Sequence, residues 1–194
     1  MKIFLLAFFS ILILHLSAQK NEKIIGIFRT STDCINRNLS FFNGCNTEIN
    51  RIRLNDFFAK PYITVKQKDS SYKFYKADIY GFEKCNKQIY RFTKKKELLM
   101  LNREESIVIY YNFVPRHSVG RTNVTNYYFS IGIDGTVQNL TIKNLKEAFT
   151  DNTKFQELID KNFKYNTDLA AFDNDAKMYK INLLLKQSME LAHQ

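Results

Sequence analysis

The stretch NYYFSIGIDGTVQNL (residues 126–140) divides the chain into two kinds of sequence. Two β-branched and aromatic runs flank Asp134-Gly135, the dipeptide type that most strongly marks a hairpin. Upstream, the pattern is that of strands. Ile63 and Val65 alternate with Tyr62, Thr64 and Lys66, and SIVIYYNF (106–113) is a further β-branched and aromatic run. Strands joined by short turns predict an antiparallel sheet. Downstream of Leu140 the apolar period changes to three and four: Ile142, Leu145, Ala148 and Phe149, then Phe155, Leu158, Ile159 and Phe163. That spacing places each set on one side of a helix. Thr141, Asn152 and Asp173 are candidate helix caps. The last helix is expected over roughly 175–187, with Met178, Ile181, Leu184 and Leu185 on its buried side.

These patterns predict an α+β fold. An antiparallel sheet of about six to nine strands, free to curl toward a half-barrel, is followed by about three C-terminal α-helices that cover part of it. Residues 19–140 form the β-rich region and 141–187 the helical region packed on it, together one domain, with 188–194 as a flexible tail. Two prolines, six glycines and 45% hydrophobic residues in a chain of 194 describe a globular composition without a linker.

FYKADIYGFEKCNKQIYRF (74–92) carries six aromatic residues in nineteen positions. It reads as two strands, 79–82 and 89–92, around a polar turn at 83–87. Alternation places Tyr80 with Phe82 and Tyr90 with Phe92, so that pairing would gather four rings into a cross-strand cluster. Packing explains such a cluster; an exposed platform for sugars or bases is the alternative.

Met1-Lys2, the apolar run from Ile3 to Leu14 and the small residues near Ala18 read as a secretory signal peptide, residues 1–18. The run is short of the about 20 residues that a transmembrane helix needs, and no later segment is apolar enough to span. The mature form is therefore expected to be exported to the periplasm, the outer-membrane surface or the extracellular space. Cys34, Cys45 and Cys85 then meet an oxidising compartment, where a structural disulfide is favoured. Their spacing, with only His117 and His193 after the leader, fits no zinc pattern. Both Cys45–Cys85 and Cys34–Cys45 pairings are open on this reading.

RIRLNDFFAKPYITV, ADIYGFEKCNKQIYRF, NYYFSIGIDGTVQNLT, NLKEAFTDNTKFQELID and KMYKINLLL follow one another between residues 51 and 185. In this order the chain resembles a family of secreted bacterial proteins with no assigned activity. The resemblance implies a bacterial source and export, and it transfers no site residue. It also implies a Cys45–Cys85 bridge, because cysteines at those two positions occur together in that family.

The net charge is +10, and the excess is local. Residues 51–96 hold 13 Lys and Arg against 4 Asp and Glu, whereas residues 97–194 hold 11 against 12. Basic, aromatic-bearing strands suit an anionic polymer or lipid head groups of a bacterial envelope, with nucleic acid a less favoured partner. Lysines on solvated strand edges are the plain alternative. Lys94, Lys95, Lys96, Tyr80 and Tyr90 are candidate ligand contacts in this region. In PRHSVGRTN (115–123), Arg116, His117 and Arg121 could grip an anion.

No G-x-S-x-G, H-E-x-x-H or phosphate-binding glycine loop occurs, and Asp168, Asp173 and Asp175 do not follow the EF-hand spacing. No catalytic residue, metal ligand or cofactor is assigned. The sequence is read as a secreted or envelope-located non-enzymatic binding or accessory protein, with an anionic ligand favoured by its charge. A hydrolase with a site near His117 and an interaction subunit of an envelope assembly are the alternatives.

Overall fold

The computed structural model describes residues 24–45, 51–54, 60–67, 69–93, 96–114 and 124–192. The signal-peptide reading (1–18) and the candidates Lys94, Lys95, Arg116, His117 and Arg121 lie outside the described residues.

The fold is α+β, as the change of period at Leu140 predicts. Its main sheet is antiparallel and comprises β1 (Ile24–Phe28), β2 (Ser40–Gly44), β6 (Gly81–Glu83), β7 (Ile89–Thr93), β8 (Lys96–Met100), β9 (Ile107–Val114), β10 (Val124–Ile131) and β11 (Gln138–Asn139). The order across the sheet is β11-β10-β9-β8-β7-β6-β1-β2, so among the described residues β11 and β2 are its edge strands and no barrel closes. β3 (Arg51–Arg53), β4 (Tyr62–Gln67) and β5 (Ser70–Tyr75) form a separate three-stranded sheet, order β3-β4-β5. A row of register partners, Ile27, Phe82, Tyr90, Leu99, Tyr111 and Tyr127, runs across six strands on one face.

That face has two covers. At the β9–β10 end, Ile107, Ile109 and Phe129 pack against α2 (Ile142–Ala148), α3 (Thr153–Asn162) and α4 (Lys180–Ala192) through Leu145, Phe155, Ile159, Ile181, Leu184 and Leu185. The expected helical stripes are thus core faces. At the other end, Ile27, Phe82 and Phe92 pack against Ile63 and Val65 of the small sheet. The opposite face buries Phe28, Leu98, Tyr110 and Tyr128 with Cys34, which projects from α1 (Ser31–Asn36), and with Ile133.

Local signals account for most boundaries. Thr141 and Asn152 cap α2 and α3 as expected, their side chains accepting from Asn144 N–H and Phe155 N–H. Gly81 is required where β6 crosses β7, since a Cβ there would lie 2.0 Å from the Tyr90 carbonyl oxygen. Cys45 and Cys85 form a disulfide, Cα–Cα 5.8 Å, that ties the end of β2 to the β6–β7 turn across the start of β1. The pairing agrees with the one the family resemblance implies.

Four expectations need correction. First, α1 lies inside the region read as strands; Thr30 and Asp33 form a capping box at its start. Second, Asp134-Gly135 does not form a two-residue turn: β10 and β11 pair through Tyr128 with Asn139 and Phe129 with Gln138, leaving a wide loop at 132–137. The Arg91 guanidinium holds that loop against the sheet by donating to the carbonyls of Ile133 and Gly135, each at 3.0 Å.

Third, Asp173 caps a turn rather than a helix. Its Oδ1 accepts from the N–H groups of Asp175 and Ala176 within the small hairpin of β12 (Phe172–Asp173) and β13 (Met178–Tyr179). The last helix therefore starts at Lys180, not near 175. It runs to Ala192, through part of the segment expected as a tail, with Ser188 fully buried. Fourth, the four-ring cluster is a three-ring one. Phe82 stacks on Tyr90 at 5.0 Å and lies 5.4 Å from Phe92, while Tyr80 packs on the opposite face of the sheet.

Candidate functional site

Because Ile63 and Val65 of β4 are fully buried, their strand neighbours Tyr62, Thr64 and Lys66 face outward. Register extends this outer face to both neighbours: Tyr62 pairs with Tyr75, Thr64 with Lys73 and Arg53, and Lys66 with Ser71. Arg53, Lys66 and Lys73 are exposed, and Tyr75 is 56% exposed. The Tyr62 and Tyr75 rings meet edge to face at 6.2 Å, and the ammoniums of Lys73 and Lys60 lie over Tyr62 at 5.3 and 5.8 Å.

None of the positions named on this face carries an acid, and among the described residues Arg53, Lys66 and Lys73 make no ion pair. The result is an outer sheet face with a tyrosine pair at one end and cations around it. Guanidinium and ammonium groups left to water lose little on meeting an anion, since no internal partner has to be given up. Tyrosine rings add an amphipathic platform: an apolar face for a sugar ring or base and a hydroxyl for its polar groups.

The sequence candidates within the described residues lie elsewhere. Tyr80 donates its hydroxyl to the Ile133 carbonyl at 3.0 Å and stacks beneath Arg91, whose guanidinium is 5.1 Å from its ring. Burial pushes the Tyr80 phenol far above its ordinary range, with Tyr110 adding to the shift and Arg91 opposing it. Arg91 also donates to the Tyr110 hydroxyl at 2.9 Å, and Tyr110 is hydrogen-bonded to Ser130. Tyr90 is stacked on Phe82 beneath the small sheet with Lys84 over its ring at 4.3 Å. Lys96 reaches across β9 to the Tyr128 hydroxyl at 2.7 Å. Structure brings none of these three to the outer face of β3–β5.

Cys34 is fully buried and outside the disulfide, and burial pushes its thiol up to about 12, so it stays protonated at neutral pH. Arg103 and Arg91 pull the other way without offsetting that burial. Cys85 is consumed by the disulfide. Among the described residues no three His, Cys, Asp or Glu side chains gather as a metal site, and no helix is long and apolar enough to cross a membrane.

The outer residues Arg53, Tyr62, Lys66, Lys73 and Tyr75 were not singled out by sequence. The alternation of 62–66 marks half of the face; the register that adds Lys73 and Tyr75 has no local sequence signal. Compared with protein-family models, curated proteins and solved structures, the chain matches none.

Proposed function

We propose that this protein is an exported, non-enzymatic binding protein whose ligand is an anionic polysaccharide of the bacterial envelope, held on the outer face of β3–β5. The observation that carries the reading is the exposed, acid-free face on which Arg53, Lys66 and Lys73 surround the Tyr62–Tyr75 pair. A repeating polyanion matches several cations spread over three strands, and pyranose rings present apolar faces to tyrosine. Export, read from residues 1–18, places such polymers within reach. The excess of cations over residues 51–96 supports the same reading, although Lys76, Arg91 and Lys96 within it are occupied by Glu97, backbone carbonyls and Tyr128.

Retention on a heparin-like polysaccharide, at a series of salt concentrations, tests the proposal. Binding is expected to weaken steeply with salt. Each of Arg53→Gln, Lys66→Gln and Lys73→Gln should cost about fivefold in affinity, from about 1 kcal/mol per basic side chain at an anionic surface. Tyr75→Ala should weaken binding at constant charge. Retention unchanged by the triple variant removes the face from consideration, and tighter retention on DNA or anionic vesicles than on polysaccharide replaces the ligand class.

A further inference from the structure

A concavity of about 510 Å3 opens at the end of the main sheet where β6 meets β7 and β8 meets β9. It lies within the range of small-molecule sites. Four separate segments wall it: the C-cap of α1, the β6–β7 turn, the β8–β9 loop and the β12–β13 hairpin. Three of them contribute a cation on left-handed backbone: Arg37 at φ 56, Lys87 at φ 65 and Lys177 at φ 55. Glycine or asparagine meets that geometry at less cost, so the turns alone do not call for basic side chains.

Partners separate these cations. Arg37 grips Glu83 with two hydrogen bonds, one from Nε at 3.0 Å, and Glu83 is only 1% exposed. Lys87 and Lys177 make no ion pair among the described residues. The remaining wall is of a different chemistry. Phe172 is 48% exposed and held edge-on by Tyr179, ring centroids 5.3 Å apart. Glu105 lines the same cleft, and its Oε2 is sealed from solvent without a hydrogen-bond partner. Burial raises its pKa, favouring the neutral acid that can donate; Asn102, the Tyr179 N–H and Asn182 pull in the other direction.

We propose that this cleft binds a monomeric acidic sugar, its carboxylate taken by Lys87 and Lys177 and its ring face laid on Phe172. The two distinctive parts of a uronic acid then have a counterpart: the charge meets two uncommitted ammoniums, and the apolar ring face meets an exposed aromatic. A bare inorganic anion would use only the lysines, and a neutral sugar only Phe172. The inference stands apart from the polysaccharide face, because no residue is shared.

Titration of the full chain with galacturonic acid, galactose and inorganic phosphate, followed by calorimetry, tests it. Galacturonate is expected to bind in the millimolar range and at least tenfold more tightly than galactose or phosphate. Lys87→Gly combined with Lys177→Gly should weaken that binding at least tenfold while leaving the melting temperature unchanged or raised, since glycine suits both backbone positions. Phe172→Ala should weaken it at least threefold, and the combined Arg53, Lys66 and Lys73 glutamine variant should not alter it. Phosphate binding as tightly as galacturonate, no binding of galacturonate, or binding intact in the double glycine variant each overturns the proposal.

Discussion

The two covers on one face of the main sheet bury similar apolar side chains and show opposite outer surfaces. Over β9 and β10, the helical layer meets water with charges paired to opposite ones: Lys143 with Glu147, Lys146 with Asp160 and Lys154 with Glu157. Over β1, β6 and β7, the small sheet meets water with Arg53, Lys66 and Lys73, none of which makes an ion pair among the described residues. Surface ion pairs contribute little stability, but they leave a helix electrically quiet toward large ligands. The helical cover has the composition of a stability element. Its counterpart has the composition of a surface that meets a polyanion.

The largest effect expected from separating these roles is at Phe155, fully buried in the helical cover and edge to face with Phe149 at 4.8 Å. Phe155→Ala should destabilise the protein by about 3–5 kcal/mol, from lost burial and the cavity left behind. At a temperature where the variant remains folded, its retention on heparin-like polysaccharide should equal that of the wild type. Loss of retention without unfolding would show that the helical cover takes part in binding.

The disulfide should act on both properties. Cys45 and Cys85 are separated by 40 residues, and β3, β4 and β5 all lie inside the closed loop. Opening a loop of this length costs about 4 kcal/mol in the chain-entropy account, and measured cases are commonly lower, about 2–4 kcal/mol. Cys45→Ser combined with Cys85→Ser should therefore lower the denaturant midpoint and also weaken polysaccharide retention. Hydrogen exchange should rise in the small sheet before it rises in the helices. A uniform rise, with retention unchanged, would remove the distinction between the two ends of the molecule.

Elements whose pattern reports their own environment were readable from sequence. The buried stripes of α2 and α3 are periodic, and Ile63 and Val65 alternate with outward residues, so burial and element type carry the same signal. Where a distant residue decides, the local signal misleads. Asp134-Gly135 has the chemistry of a tight turn, but Arg91, more than 40 positions earlier, draws the loop across the sheet through two carbonyls. Asp173 has the chemistry of a cap, and pairing of Phe172 with Tyr179 turns it into a hairpin residue.

The charge excess was legible as a region and not as a surface. Lys76, Arg91 and Lys96 are indistinguishable from Lys66 and Lys73 in a count. Tertiary contacts with Glu97, Ile133 and Tyr128 commit the first three, and strand register displays the other two. Tyr80 and Tyr90 illustrate the same limit from the aromatic side, since each is a packing residue on a different face of one sheet.

A smaller effect distinguishes the two ends by pH. Glu105 sits in the β8–β9 loop against the helical end, near Asn102, Asn182 and the Tyr179 backbone, and burial raises its pKa above the ordinary 4.5. The folded state therefore binds this proton more tightly than the unfolded chain. Its contribution to stability is fully present below about pH 4.5 and is lost as pH rises through the raised value. The difference in denaturant midpoint between Glu105→Gln and wild type should accordingly grow in favour of the variant from pH 4 toward neutrality, because the amide stays uncharged throughout. Comparison of the two proteins cancels the titration of every other carboxylate. A difference that shrinks over the same range would mean that the ionised carboxylate, drawn by Asn102, Asn182 and the Tyr179 N–H, is the favoured form. Glu105 lies in the β8–β9 loop and not on the outer face of β3–β5, so polysaccharide retention of the wild type and of Glu105→Gln should follow one curve.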